Sequence, residues 1–293
     1  MKGWCTKCQA WRSPLSIRWV AAWAWLLSMP CLMAHGDLHG QIQELSAEIL
    51  QKPGQGELYF KRAELHRAHG SLDAAEADYD QAGRLAPELS GLDFGRGQVF
   101  LAAGKLVEAL EAFDRFLLAH PRHVPGYVAR AKTRSMAKAH LAAAADYTLA
   151  IQSCSQPEPE YYLARAQALA DAGPEHVVRG LEGINEGLTR LGEVLTLELR
   201  AVDLEVSLKR YGGALQRIER IRKKAGRQEF WLERRGDILD QAGRSAEAQL
   251  SYKAALEAAQ SRPPRLRATD ATRKIEERLR QKCKLPDSAS VGQ

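Results

Sequence analysis

The sequence predicts an all-α fold, a solenoid of antiparallel helix hairpins, and three observations carry that prediction. The 293 residues are 45% hydrophobic, enough to bury a large core. Ala, Leu, Glu and Arg dominate while asparagine occurs once, at Asn185, a composition that favours helix and leaves little for strands. Pro53, Pro87 and Pro121 recur at intervals of 34 residues, with small and aromatic residues in register between them.

The register is explicit in the first units. Ala63, Gly70, Ala75, Tyr79, Ala82 and Pro87 stand at positions 8, 15, 20, 24, 27 and 32 of a unit beginning at 56. Gly97, Gly104, Ala109, Phe113, Phe116 and Pro121 fill the same places in the next. In the third, Ala131, Lys138, Ala143, Tyr147 and Ala150 follow, with Ser155 in place of the proline. Small residues at three of these positions let two helices approach to about 8–10 Å, and the aromatic fills the remaining space. Glycine at the hairpin turn tolerates the left-handed backbone that ends a helix, and the proline stops the second helix. The predicted units are 56–89, 90–123, 124–157, 158–193, 194–227 and 228–262. The fourth needs a two-residue insertion near Pro174–His176, the fifth lacks the turn glycine, and the sixth is regular again with Gly236, Gly243, Ala248, Tyr252 and Ala255.

This pattern resembles the tetratricopeptide repeat over about 200 residues. The resemblance implies a right-handed superhelix whose concave groove is lined by first helices and binds a protein or peptide partner. Carried onto this sequence, the lining residues are Phe60, Glu64 and Arg67, then Phe94, Gln98 and Leu101, then Val128 and Lys132. Further along come Glu198 and Glu205, and finally Glu233, Asp237 and Asp240, so the later groove is expected to be acidic and suited to a basic or amphipathic peptide. No asparagine occupies a groove position, which disfavours the carboxylate clamp of chaperone-binding relatives.

Both ends of the array require caps, because a terminal hairpin would otherwise expose an apolar face. Residues 35–55 supply one, with Ile42, Leu45 and Ile49 on one stripe of a helix at Leu38–Lys52. Residues 263–284 supply the other, where Ile275 and Leu279 are nearly alone among charges, and 285–293 read as a disordered tail. Residues 1–34 read as a signal peptide: basic up to Arg18, then the uncharged Trp19–Ala34 run, too short to span a bilayer. Cleavage after Ala34 gives an exported product, periplasmic or secreted; the alternative is a membrane tether through 19–34.

Charge and residue chemistry narrow the function further. The net charge of +6 owes four charges to Lys2, Lys7, Arg12 and Arg18, so the remainder is nearly neutral. Basic residues cluster late, at Arg217, Arg220, Arg222, Lys223, Lys224 and Arg227, without alternating aromatics to stack bases. Nucleic acid is therefore not an expected partner; the cluster reads as a solvated helix face, with an anionic surface as its alternative ligand. Arginine precedes the small seam residue in all six units, at Arg62, Arg96, Arg130, Arg165, Arg200 and Arg235. Asp78 and Asp146 stand opposite, predicting exposed within-repeat ion pairs of at most about 1 kcal/mol.

His35 and His39 are weak copper candidates beside the expected new amino terminus, but two or three ligands do not define a site. Cys5 and Cys8 lack a second pair for zinc, and Cys154 and Cys283 are expected to stay unbonded. Phosphate-binding, nucleophile-elbow and zinc-protease motifs do not occur. The expectation is a monomeric, non-catalytic binding scaffold without a cofactor.

Overall fold

The computed structural model describes residues 30–283, with side chains from Leu38 onward. The segment up to residue 29, the Cys5 and Cys8 pair, the His35 side chain and the tail 285–293 lie outside the described residues. Among the described residues every regular element is a helix. The chain divides into two compact units, one ending at Ala103 and one beginning at Gly104.

The first unit contains α1 (Pro30–Gln51), α2 (Gly56–His69), α3 (Leu72–Leu85) and α4 (Leu92–Ala102). Helix α1 begins before the expected cleavage point and carries Ile42, Leu45 and Ile49 toward α2, with Ile49 buried. Ala63 of α2 and Ala75, Tyr79 and Ala82 of α3 are fully buried and pack with Leu92 and Val99 of α4. The small seam residues let the helices meet, and Tyr79 fills the space they leave. Gly95 is required here, because a Cβ on it would stand 2.5 Å from the Tyr79 ring.

The second unit contains α5 (Leu106–Ala119), α6 (Val124–Met136), α7 (His140–Ser153), α8 (Pro159–Ala172), α9 (Val177–Leu191), α10 (Leu195–Ser207), α11 (Tyr211–Lys224), α12 (Gln228–Gln241) and α13 (Ser245–Gln260). A single turn, α14 (Pro264–Arg267), leads into α15 (Asp270–Cys283). The pairs α6/α7, α8/α9, α10/α11 and α12/α13 are antiparallel hairpins in contact with their neighbours in the chain. A 3-10 turn at Pro174–His176 takes up the insertion in the fourth repeat. Two apolar clusters, one around Tyr162, Ile184 and Leu197 and one around Val202, Ile218 and Trp231, form the middle of this core. Leu279 of α15 is fully buried against Ala255 and Ala259, so the last helix closes the array through one apolar edge.

The turns show where glycine is a conformational need. Gly70, Gly104 and Gly243 have φ of 84°, 74° and 73°. At the equivalent places Lys138 and Lys209 adopt the same left-handed region, with φ of 62° and 57°, at a cost of about 1–2 kcal/mol each. The hairpin geometry therefore overrides local preference at these two lysines.

Candidate partner-binding site

The seam arginines decide which charges are available to a partner. Arg62 grips Asp78 with two hydrogen bonds of 2.7 Å and donates to Ser46 Oγ at 3.0 Å. Arg130 grips Asp146 at 3.0 and 2.6 Å and donates to Asp114 at 2.6 Å. In the second repeat Ala112 replaces the aspartate, and Arg96 turns instead to Asp80 on α3 at 2.8 Å. Arg235 donates to Ser251 Oγ at 3.0 Å, Arg165 to Glu186 at 2.6 Å, and Arg200 to Gln167 at 2.8 Å. The partners recur 16 residues on or back, at Asp78, Asp146 and Ser251 or at Ser46, Asp80 and Asp114. This spacing places one arginine between the second helix of its own repeat and the helix before it.

These pairs differ from the expected exposed ones: the Asp146 side chain is 1% exposed and that of Asp78 is 9%. Burial changes the energetics, since removing one partner strands a charge away from water. Burial opposes the charge of Arg130, but its bonds to Asp146 and Asp114 outweigh that and raise its pKa. Each arginine of the ladder thus has at least one hydrogen-bond partner within the chain.

The groove residues fall into the two units. In the first, Phe60 packs edge-on against Tyr79 at 5.9 Å. Glu64 accepts from the Tyr79 hydroxyl and, at 2.6 Å, from Arg67. Burial, then the Glu64 contact, pushes the Tyr79 pKa well above its ordinary value. Phe94, Gln98 and Leu101 are half-buried on α4. In the second unit Val128 is half-buried and Lys132 exposed on α6.

Four of the late acids, Glu198, Glu205, Glu233 and Asp237, are paired. Glu198 accepts from Arg217 at 2.7 Å, and Glu205 accepts from the same guanidinium at 3.2 Å while buried against α11. Glu233 receives two bonds of 2.7 Å from Arg278 and lies 3.0 Å from Lys282. Asp237 accepts from Lys282 at 2.5 Å and from the Tyr252 hydroxyl at 2.9 Å, and the Lys282 ammonium sits 5.2 Å from the Tyr252 ring centre. Asp240 is exposed. Burial disfavours the charge of Glu233 most strongly, yet the bonds from Arg278 and Lys282 prevail and lower its pKa. Lys282 is raised for the matching reason: Asp237 and Glu233 overcome its burial. The acidic character expected of this surface is therefore largely balanced by α11 and α15.

What faces solvent on these helices is a cleft of about 350 Å³ lined by Leu199 and Asp203 of α10, Phe230, Glu233, Arg234 and Asp237 of α12, and Arg278. Arg234 donates to Asp203 across it, and Phe230 is 48% exposed. Leu199 stands one residue after Glu198, which the repeat register selects, and Asp203 one residue after Val202, the position one helical turn further on, which lies fully in the core. One residue is about 100° of helix rotation, enough to exchange lining for core. Phe230 was not among the predicted lining residues, although an aromatic in the first turn of a lining helix was visible in the sequence.

His39 is exposed, with Nε2 3.0 Å from Gln43 Nε2. Among the described residues no group of three or more His, Cys, Asp or Glu side chains is placed to hold a metal ion, and no helix is long and apolar enough to cross a membrane. Cys154 and Cys283 are both free thiols.

A family model described as a tetratricopeptide repeat-like domain matches residues 186–271. No curated protein matches the sequence at a significant level. A tetratricopeptide repeat protein from Parabacteroides merdae is 16% identical, with a TM-score of 0.51 over 85% of this chain and 94% of that one. The C-terminal part of a repeat-containing protein from Cytophaga hutchinsonii is 12% identical, with a TM-score of 0.65 over 83% of this chain and 96% of its own. The structure of Naa15/Naa10 bound to HypK-THB is 15% identical, with a TM-score of 0.53 over 86% of this chain and 39% of that one. At such identities the likeness is one of fold. Residues 186–271 thus match the tetratricopeptide repeat-like model, and the helix hairpins share the fold of these solved tetratricopeptide-repeat structures.

Proposed function

We propose that this protein is an exported, non-catalytic scaffold that holds a segment of a protein partner in the cleft between α10 and α12. The observation that carries the reading is Phe230, a large aromatic left 48% exposed over a cleft whose charged walls already pair with one another. Where charges are internally satisfied, affinity comes from burying apolar surface, and aromatic anchors contribute most of it. Leu199 extends the apolar strip, and Asp203 and Arg234 at the rim supply hydrogen-bonding groups that select orientation.

A photo-crosslinking residue introduced at Phe230 in the full chain tests this reading, with Leu250 on α13 as control because it is 66% exposed on a second helix. Crosslinks to defined partner peptides at 230 but not at 250 support it. Equal yields at both positions, or crosslinks at 250 alone, refute it. Export is supported by the acid-free basic stretch followed by the uncharged Trp19–Ala34 run. Mass spectrometry of the secreted product is expected to find a chain beginning at His35, and a chain retaining the tryptophan-rich segment would contradict cleavage.

A further inference from the structure

The late basic cluster takes on a second meaning once the ends of α10 and α11 are seen together. At that end of the hairpin lies a cleft of about 340 Å³ that shares no lining residue with the one over Phe230. Its floor is apolar, made by Ile221 and Ala225 of the α11 end and by Leu195, the first residue of α10, which is 50% exposed. Its rim is cationic, made by Arg220, Lys223 and Lys224. The volume suits one large aliphatic or aromatic side chain with its flanking backbone.

Two acids stand at the margin, and both are engaged. Glu193 accepts from Lys224 at 2.5 and 2.6 Å, and this bond lowers the pKa of Glu193. Glu198 is held by Arg217 at 2.7 Å and lies 3.7 Å from Arg220. Lys223 is exposed, and the side chains of Arg220 and Lys224 are 63% and 66% exposed. Cations thus outnumber acids around an apolar floor, and the exposed pairs are weak enough to exchange one carboxylate for another.

We infer that this cleft is a docking site for a protein segment in which an aliphatic or aromatic side chain is flanked by aspartates or glutamates. The apolar residue fills the floor over Leu195 and Ile221, while its acidic neighbours reach Lys223 and compete with Glu193 for Lys224. Opposite charge steers the encounter and fixes orientation, and apolar burial holds the complex. This surface is independent of the Phe230 reading, so the two can fail separately.

Fluorescence anisotropy on the full chain tests the inference. The probe is a short labelled peptide with one leucine among aspartates and glutamates. The controls are the same peptide with lysines for the acids, the same peptide with serine for leucine, and anionic phosphatidylserine vesicles. The acidic leucine peptide is expected to bind, to weaken with added salt, and to lose about tenfold in affinity with either Lys223→Glu or Leu195→Ser. Phe230→Ala is expected to leave this affinity unchanged. Equal binding of the lysine peptide, unchanged affinity in Lys223→Glu, or binding to vesicles without binding to the peptide would each overturn it. Lys223 is exposed and outside the core, so its variant keeps the test decisive if Leu195→Ser disturbs folding.

Discussion

Asp146 is the most deeply buried charged residue described in the second unit, and its replacement by alanine gives a sharp test of the seam. Its carboxylate, 1% exposed, accepts from Arg130 at 3.0 and 2.6 Å and from Arg134 at 2.8 Å. Without it Arg130 keeps Asp114 at 2.6 Å, and Arg134 keeps Asp114 at 3.8 Å and the Ala142 carbonyl at 3.5 Å. Breaking a buried pair costs about 3–5 kcal/mol. The lower end applies, because Asp114 remains and the arginine side chains are 14% and 23% exposed and can recruit water. A loss of about 3 kcal/mol lowers the melting temperature of a unit this size by roughly 6–12 °C. Asp114→Ala removes a partner that is 52% exposed and is expected to cost about 1 kcal/mol or less. Urea unfolding followed by circular dichroism, with both variants compared at equal slope, measures the difference. If Asp146→Ala loses no more stability than Asp114→Ala, the argument from burial is wrong.

Three further outcomes follow from the geometry. Lys209→Gly is expected to stabilise the chain by about 1 kcal/mol, because it relieves a φ of 57°, and a midpoint that does not rise in thermal unfolding would count against strain at that turn. Gly236→Ala places a methyl group against the ring of Tyr252 and is expected to cost about 1–3 kcal/mol in the same assay, whereas a neutral result would mean the α12/α13 seam is looser than described. The attachment of α15 is expected to be pH-dependent at both extremes. Glu233 has a lowered pKa, so its contribution is complete above the ordinary carboxylate range and disappears as pH falls through the folded value; Lys282 has a raised pKa, so its contribution is lost as pH rises through its folded value above the ordinary lysine range. Comparing the acid limb of thermal stability in the native chain and Glu233→Gln checks the first half, and identical acid limbs would contradict it.

Much of the fold was legible because repeat architecture writes its contacts locally. The prolines at 34-residue intervals, the small residues at the seam and the aromatic at position 24 each act between helices adjacent in the chain, so their spacing alone implied the hairpins. The arginine before each seam residue and its aspartate opposite could be paired from sequence for the same reason, as Arg62 with Asp78 and Arg130 with Asp146 show. That these pairs are buried could not be read, since spacing gives the neighbour and not the solvent.

The candidate site was much less legible. The acids at Glu233 and Asp237 look free along the chain, but their partners, Arg278 and Lys282, come from a helix 45 residues later that folds back to cap the array. A one-residue change of phase in α10 sends Val202 into the core and brings Leu199 to the cleft, a rotation that repeat numbering does not resolve. The apolar floor over Ile221 exists because the first residue of α10 and the last turn of α11 meet at one end of a hairpin. Sequence by itself determined the helices, their period and the seam chemistry, because these depend on neighbours in the chain. Which charges stay open to a partner, and where apolar surface is left uncovered, was decided only by tertiary structure, because both depend on packing between distant segments and on what that packing shields from water.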